Sequence, residues 1–405
     1  AAFADPKQKA RAIGIWTAIA SVGTAIGPTL GGMLVEQFGW RSIFLVNVPV
    51  GTLVFYLSTR YVTESRDERP RRPDLLGQVL FALSVGAMAY ALIEGPKAGW
   101  DSPSILALLL TSVVAGLLFA RAELRADDPM MDLSLFQDRE YALAIATMAA
   151  VFFSIYGMLL LMTQYLQNVH GYSPARTGGM LLPFSAVLMV VSPLAGRLVG
   201  QLGARRLILT GLSTLIAGLL ALIASGSGSV PLMLLGFALC GVGAALCVTP
   251  ITTLAMTSVP PRRAGMASGI MSAQRAIGST VGFAVLGSVL AAWLSATLDN
   301  DLAAVVPDVT ERQMIGATIV SSANPHAHVA EIVPRRPIAH ADPAIQSAIT
   351  TAAERDFVQG IRVGLSVAVA LLTVFLVAGW RMFSRGGGAL RTAEDEETRL
   401  GSMEA

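Results

Sequence analysis

Charge is what this sequence has least of. Only 14% of its 405 residues are Asp, Glu, Lys or Arg, against roughly 25% in a soluble domain, so much of the folded surface does not face water. The formal net charge is +2 and no basic stripe interleaves with aromatics, which argues against a nucleic-acid partner. Cys240 and Cys247 are the two cysteines. They fall at i, i+7 in one apolar block, about 10 Å apart on a helix and beyond the ~7 Å that a disulfide bridges. They read as small packing residues. No P-loop, HExxH, GxSxG or CxxC occurs, so ATP is not the energy source written here and no catalytic constellation is present. His326, His328 and His340 share one polar stretch, without a Cys or ordered acidic cluster to complete a metal site. Neither enzyme activity nor a cofactor nor a metal is expected.

Apolar residues are abundant, 54% of the chain, with a mean hydropathy of +0.62. They fall in blocks of about 20 residues or more, the length that crosses ~30 Å of hydrocarbon. The blocks lie near 12–35, 42–62, 75–94, 104–122, 141–167, 177–200, 206–226, 231–257, 264–296 and 357–384. The fold class is therefore all-α, a polytopic membrane helical bundle of about ten transmembrane helices with the lipid bilayer as partner. Short polar links join the blocks, except 62–74, rich in charge and proline, and the long, polar, proline-dotted 297–356.

Lys and Arg in short loops set the orientation. One side carries Lys7, Lys9, Arg11, Arg60, Arg66, Arg69, Arg71, Arg72, Arg121, Arg125, Arg139, Arg205, Arg206, Arg262, Arg263, Arg385, Arg391 and Arg399; the other only Arg41, Lys97 and Arg176. Both ends are expected in the cytoplasm, with 297–356 outside.

An internal repeat organises the chain. Gly14, Gly23 and Gly27 recur as Gly269, Gly278 and Gly282, each pair 255 positions apart, and the same offset pairs Ala18 with Ala273 and Gly32 with Gly287. Glycines four apart let membrane helices approach closely, so two independent packing faces are one reading and a true repeat the other. Both helices start from the same side, which makes the repeat parallel, as between the halves of a facilitator transporter. Four blocks precede the ninth within its own bundle (141–257) and one follows it. The first block has one after it and none before. By symmetry four further helices are expected in front, for fourteen in a complete protein. The domains expected are 1–62, remnant of an N-terminal bundle; 63–140, an inserted helix pair with its linkers; 141–384, a six-helix bundle including loop 297–356; and a cytoplasmic tail, 385–405.

Gly14-x8-Gly23-x3-Gly27-Pro28-x2-Gly31-Gly32 matches in full the signature of drug exporters of the major facilitator superfamily. Trp40-Arg41-x-Ile43-Phe44-x-x-Asn47-x-Pro49 resembles the next stretch of their fourteen-helix drug:proton antiporter branch. Asp74-x-x-Gly77, Tyr165-Leu166-Gln167 before Gly171-Tyr172-Ser173, and Arg275-x-x-Gly278 are similar too. The resemblance implies a multi-pass protein of the bacterial cytoplasmic membrane. It implies multidrug efflux, with small amphipathic compounds as substrate and protons as coupling ion. Two features depart from the pattern. The Asp-centred motif of the branch's first helix has no match. Gly196-Arg197-Leu198-Val199-Gly200-Gln201-Leu202-Gly203-x-Arg205-Arg206 resembles the cytoplasmic gating motif, but Gly200 stands where an acidic residue is usual.

Several residues are candidates for the transport chemistry. Gly23, Gly27 and Gly31 form a small-residue face, and Pro28 removes a backbone hydrogen bond. Either they make the seal and pivot that the resemblance implies, or they pack tightly and nothing more. Arg275 lies eleven positions into its block, roughly 16 Å along, where an arginine costs about 2.5–3.5 kcal/mol to insert. It either contacts substrate, counter-ion or a charge partner, or reaches the cytoplasmic surface through its long stem. Tyr156, Thr163 and Gln167, with Gln164 beside them, form a polar stripe that lines a cavity or bonds a neighbouring helix; Asn47 has the same two readings. Met158 and Met162 offer an adaptable pocket or ordinary packing. Glu36, Glu94 and the tail Glu394-Asp395-Glu396-Glu397 read as solvated. Because the coupling helix is expected among those further four, residues 1–405 alone are expected not to transport. A metabolite, peptide or siderophore exporter on the same fold and a non-transporting membrane protein are the rival readings.

Overall fold

A computed structural model describes residues 27, 29–61, 74–126, 131, 133–226, 228–257, 264–303, 305–306, 308–322 and 343–385. Gly14, Gly23, Pro28, the three clustered histidines and the acidic tail lie outside them. Among the described residues there is no strand, and nine helices are long and apolar enough to cross a membrane. The helices are α1 (29–38), α2 (Ser42–Tyr61), α3 (Leu75–Ala98), α4 (Pro103–Glu123), α5 (Arg139–Gln164), α6 (Leu182–Leu202), α7 (Ala204–Ser225), α8 (Val230–Thr257), α9 (Ala264–Leu302), α10 (Val309–Ser322) and α11 (Pro343–Arg385).

Capping chemistry marks their starts. Asp74, Ser102, Asp138 and Ser173 each accept a hydrogen bond from a first-turn N–H, and proline follows two of these caps. Gly203, at φ +78° and ψ 148°, reverses the chain between α6 and α7, a backbone region open essentially to glycine alone.

One core runs from Tyr141 to Leu372, drawing on α5 to α11. In the most apolar stretch of α5 two thirds of the residues are buried (67%), and in that of α2 none is. Apolar burial gives little drive between helices already in lipid, so close packing has to supply it. The α7–α8 seam shows how. An ideal Cβ on Gly211 would sit 2.7 Å from Cys247 Sγ, one on Gly218 2.7 Å from Cys240 Sγ, and one on Gly243 2.5 Å from the Leu215 nitrogen. Both cysteines are free and buried, as small residues filling the gaps that glycines leave.

Helices α3 and α4 are joined by a reciprocal bond: Ser84 Oγ donates to Ser112 O (2.9 Å) and Ser112 Oγ to Ser84 O (2.8 Å). Of the two, α3 packs against α9. Asp74-x-x-Gly77 acquires a local reason: Asp74 accepts from the Gly77 N–H at 2.8 Å, and a Cβ on Gly77 would run into the Asp74 and Glu123 carboxylates.

Four expectations are corrected. The block 177–200 is a short helix, Pro174–Met180, and then α6, broken at Leu181 because Pro183 has no N–H to continue the ladder. Gly95-Pro96 does not end the third helix, which runs to Ala98; the Leu92 carbonyl that Pro96 leaves without its helical donor is approached instead by Ser288 Oγ at 3.5 Å. Glu36 is exposed but engaged, its carboxylate accepting from Ala175 N at 3.1 Å.

The fourth concerns 297–356, which is in part helical. With 39 and 43 residues, α9 and α11 are roughly 58 and 64 Å long, twice the hydrocarbon thickness. Their polar ends continue as helix where hydropathy stops, and charge holds them there. Arg312 Nε donates to Asp299 Oδ1 at 2.9 Å, Arg355 pairs with Asp301, and buried Asp356 lies beside Asp301 and Thr297. Between them α10 folds back along α9, burying Ile315 and Ile319.

Candidate functional site: an arginine and its aromatic neighbours on α5 and α9

Two glycines set the geometry. An ideal Cβ on Gly278 would lie 2.4 Å from Ala149 O, and one on Gly282 2.3 Å from Phe153 O. Glycines four apart on α9 thus meet carbonyls four apart on α5, and the two backbones touch. Gly157 completes the seam from the α5 side, against Leu286. Gly269, the first glycine of the same repeat, meets nothing within 4 Å.

This close approach sets the half-buried residues of α5 beside those of α9. Arg275 Cζ stands 5.8 Å from the Phe152 ring centre, within cation–π range. Phe152 stacks with Tyr156 at 5.9 Å, and Tyr156 meets Phe283 edge-on at 5.5 Å. Arg275 Nε is buried without a hydrogen-bond partner. Among the described residues its guanidinium therefore rests against the Phe152 ring with one N–H unanswered, an electrostatically open position. Further along α5, Thr163, Gln164 and Gln167 are half-buried, and Gln164 accepts from Asn168 Nδ2 at 3.1 Å. Tyr156 belongs to the Arg275 group; the other three continue its helix. Met158 and Met162 are fully buried in the core.

Beyond Gln164 the helix winds into a π turn, Tyr165–Val169, a geometry common at functional sites. Gly171 at φ +63° redirects the chain, and Ser173 caps the short helix after it. The ring of His170 packs between Tyr165 (4.7 Å) and Tyr172 (5.5 Å), and Arg176 Cζ lies 3.8 Å over Tyr172.

That short helix is where the signature helix lands. Thr29 Oγ1 donates to Gly178 O at 3.2 Å, and a Cβ on Gly32 would lie 2.3 Å from Pro174 O. Gly27 and Gly31 meet nothing within 4 Å. Asn47, exposed on α2, donates to Ile43 O of its own helix and is not brought to the Arg275 group.

The motif from Gly196 to Arg206 forms the α6–α7 turn, with Arg197 and Arg206 exposed and Arg205 half-buried. Gly196 faces Thr249 Cγ2 at an ordinary 3.7 Å, and Gly200 stands in open space. Besides Phe152 and Phe283, an arginine escaped the sequence reading. Arg362 of α11 has a buried Nε without a hydrogen-bond partner, in a small cleft with Tyr165 and Gly226. Its signal was available: a lone arginine five residues inside an apolar block.

Comparison with known proteins places this geometry in context. The chain is 61% identical to the multidrug resistance protein Stp of Mycobacterium tuberculosis (strain ATCC 25618 / H37Rv) over 385 residues, 95% of this chain and 71% of that protein. It is 42% identical to the drug efflux pump JefA of the same strain over 384 residues, 95% of this chain and 75% of that one. A bacterial homologue of the human lysosomal transporter Spinster, solved inward-facing and unoccupied, aligns over 93% of this chain and 72% of its own. With a TM-score of 0.49 and 18% identity, that match is too loose to place helices by. The model of the Major Facilitator Superfamily matches residues 1–283. Set beside the helical bundle and its glycine seams, these matches make the chain a multi-pass membrane protein that belongs to the Major Facilitator Superfamily, whose members are transporters and not enzymes.

Proposed function

We propose that the chain serves drug efflux: export of amphipathic, cationic or neutral compounds across the bacterial cytoplasmic membrane in exchange for protons, by rocking of two helical bundles. The observation that carries this reading is the α5–α9 face, where Arg275 stands over Phe152 at the head of a row of three rings, its Nε without a hydrogen-bond partner among the described residues. Flat rings receive varied apolar bodies with few geometric demands, and the guanidinium sets the local charge that a substrate or a coupling carboxylate has to answer. The names of Stp and JefA favour drugs as the cargo.

Both ends of the chain are cytoplasmic in this reading, and α1 with α2 belongs to a second bundle. The exposed faces of Leu53, Phe55 and Tyr56 and the open surroundings of Gly27 and Gly31 support further helices beside them, and the proton-coupling carboxylate is assigned to those helices. Thr29, Gly32 and Glu36 then join the two bundles at the Pro174–Met180 helix, the place for a seal.

Everted membrane vesicles test the proposal. Residues 1–405 and the same chain preceded by its upstream reading frame are compared for ethidium movement energised by a proton gradient. Transport by the longer form that collapses with a protonophore, and is lost in Arg275→Ala but kept in Cys240→Ala, is expected. Gradient-independent movement, or full transport by Arg275→Ala, would overturn it.

A further inference from the structure

Among the described residues a large cavity lies beside the Arg275 group, along α9. It has a volume of about 880 Å³ and opens where α9 meets the end of α3 and the folded-back α10. Ligand pockets run from about 300 to 1,000 Å³. Leu92 and Ile93 of α3, Phe283 and Leu294 of α9 and Val320 of α10 form its apolar wall. Phe283 is shared: one side borders the cavity and its ring meets Tyr156 of the inner group.

The polar side chains on the wall are two serines, an ion pair and Gln313. Ser288 Oγ donates to Ala284 O at 2.6 Å and Ser295 Oγ to Ala291 O at 2.9 Å, so neither hydroxyl hydrogen is aimed at an occupant. The Asp299–Arg312 ion pair stands on the wall, with the Asp299 side chain 48% exposed and that of Arg312 13%. A buried water needs two to four polar partners, which most of this wall does not offer. An apolar body suits it better, with a polar group beside the ion pair, where charge of either sign finds a partner.

We propose that this cavity binds an amphipathic molecule with a single apolar body and a polar head, the head resting at Asp299 and Arg312. Two sources share that chemistry, a single-chain lipid and a drug-like amphiphile. The site adjoins the α5–α9 aromatic group through Phe283 and does not depend on proton-coupled transport.

The test uses the 405-residue chain in lipid nanodiscs with two photoreactive probes, a long-chain amine and a monoacyl phosphatidylcholine, followed by mass spectrometry of the labelled peptides. Labelling concentrated in 283–299 and 312–320 is expected. Gly316 lines the cavity, and a Cβ there would meet nothing within 4 Å among the described residues, so Gly316→Trp starts its side chain in open space and occupies part of the cavity. It is expected to lower that labelling about tenfold, the equivalent of ~1.4 kcal/mol. Gly51→Trp, equally open but on α2, should leave it unchanged. Preference for the amine identifies a drug-like occupant and preference for the phosphatidylcholine a lipid; each supports the site. Labelling spread evenly over α2 and α4 by both probes would overturn the proposal, whichever variants fold. So would labelling that Gly316→Trp, recovered helical and monodisperse, leaves untouched.

Discussion

Single residues decide more here than in most helical proteins, because glycine occupies both the turns and the seams. At Gly203 the backbone, φ +78° and ψ 148°, excludes a side chain on conformational grounds. Gly203→Ala should cost on the order of 1–3 kcal/mol, read as a fall in apparent Tm of the detergent-solubilised chain. Three residues earlier the outcome reverses. Gly200 sits inside α6 with open space where a Cβ would go, so Gly200→Ala should stabilise by roughly 0.5–1 kcal/mol. Gly200→Asp should fold as well as the parent, since the acid usual at that place has room. A loss of Tm in Gly200→Ala would show that the space is taken by something else. The sequence announced both glycines as part of one motif but not the difference between them, because φ is not written in residue type. Arg275 was legible from its depth. Its partner Phe152 was not: one phenylalanine among several on an apolar helix carries no mark.

At the scale of the element, hydropathy located the spans well and their ends poorly. Block boundaries for α4, α7 and α8 fall within two residues of the helices, since lipid-facing length is a physical requirement. The extensions of α9 and α11 escaped because their helicity rests on pairs such as Arg312 with Asp299 and Arg355 with Asp301, which are distant in sequence and polar in composition. The glycine repeat was read as close packing, and the structure gives it a direction: Gly278 and Gly282 face α5, whereas Gly269 faces nothing. Accordingly Gly282→Leu should separate α5 from α9 and cost at least about 1–3 kcal/mol, the usual toll of overpacking, while Gly269→Leu should be neutral. Gly218→Leu, which meets the Cys240 backbone, should match the first. Differential scanning fluorimetry of the three purified variants separates these outcomes. Equal losses in all three would mean that the α5–α9 seam is not special.

For the whole molecule, the proposed rocking predicts that α3 and α4 travel with the bundle that α9 belongs to, since α3 packs on α9. Spin labels at Thr111→Cys on α4 and Leu220→Cys on α7, both on exposed positions, should keep one distance when the proton gradient is reversed. Labels at Tyr56→Cys on α2 and Leu220→Cys should report a change. The opposite pattern would attach the pair to the other half.

Where α5 and α9 meet at Gly278 and Gly282 there are almost no side chains to rearrange, so the seam offers evolution little material. New cargo preferences have to be acquired through the rings mounted on it, Phe152, Tyr156 and Phe283. Across transporters of differing selectivity, diversity should gather at those three positions while 278 and 282 stay small, and a large residue at 282 should appear only where α5 has also changed.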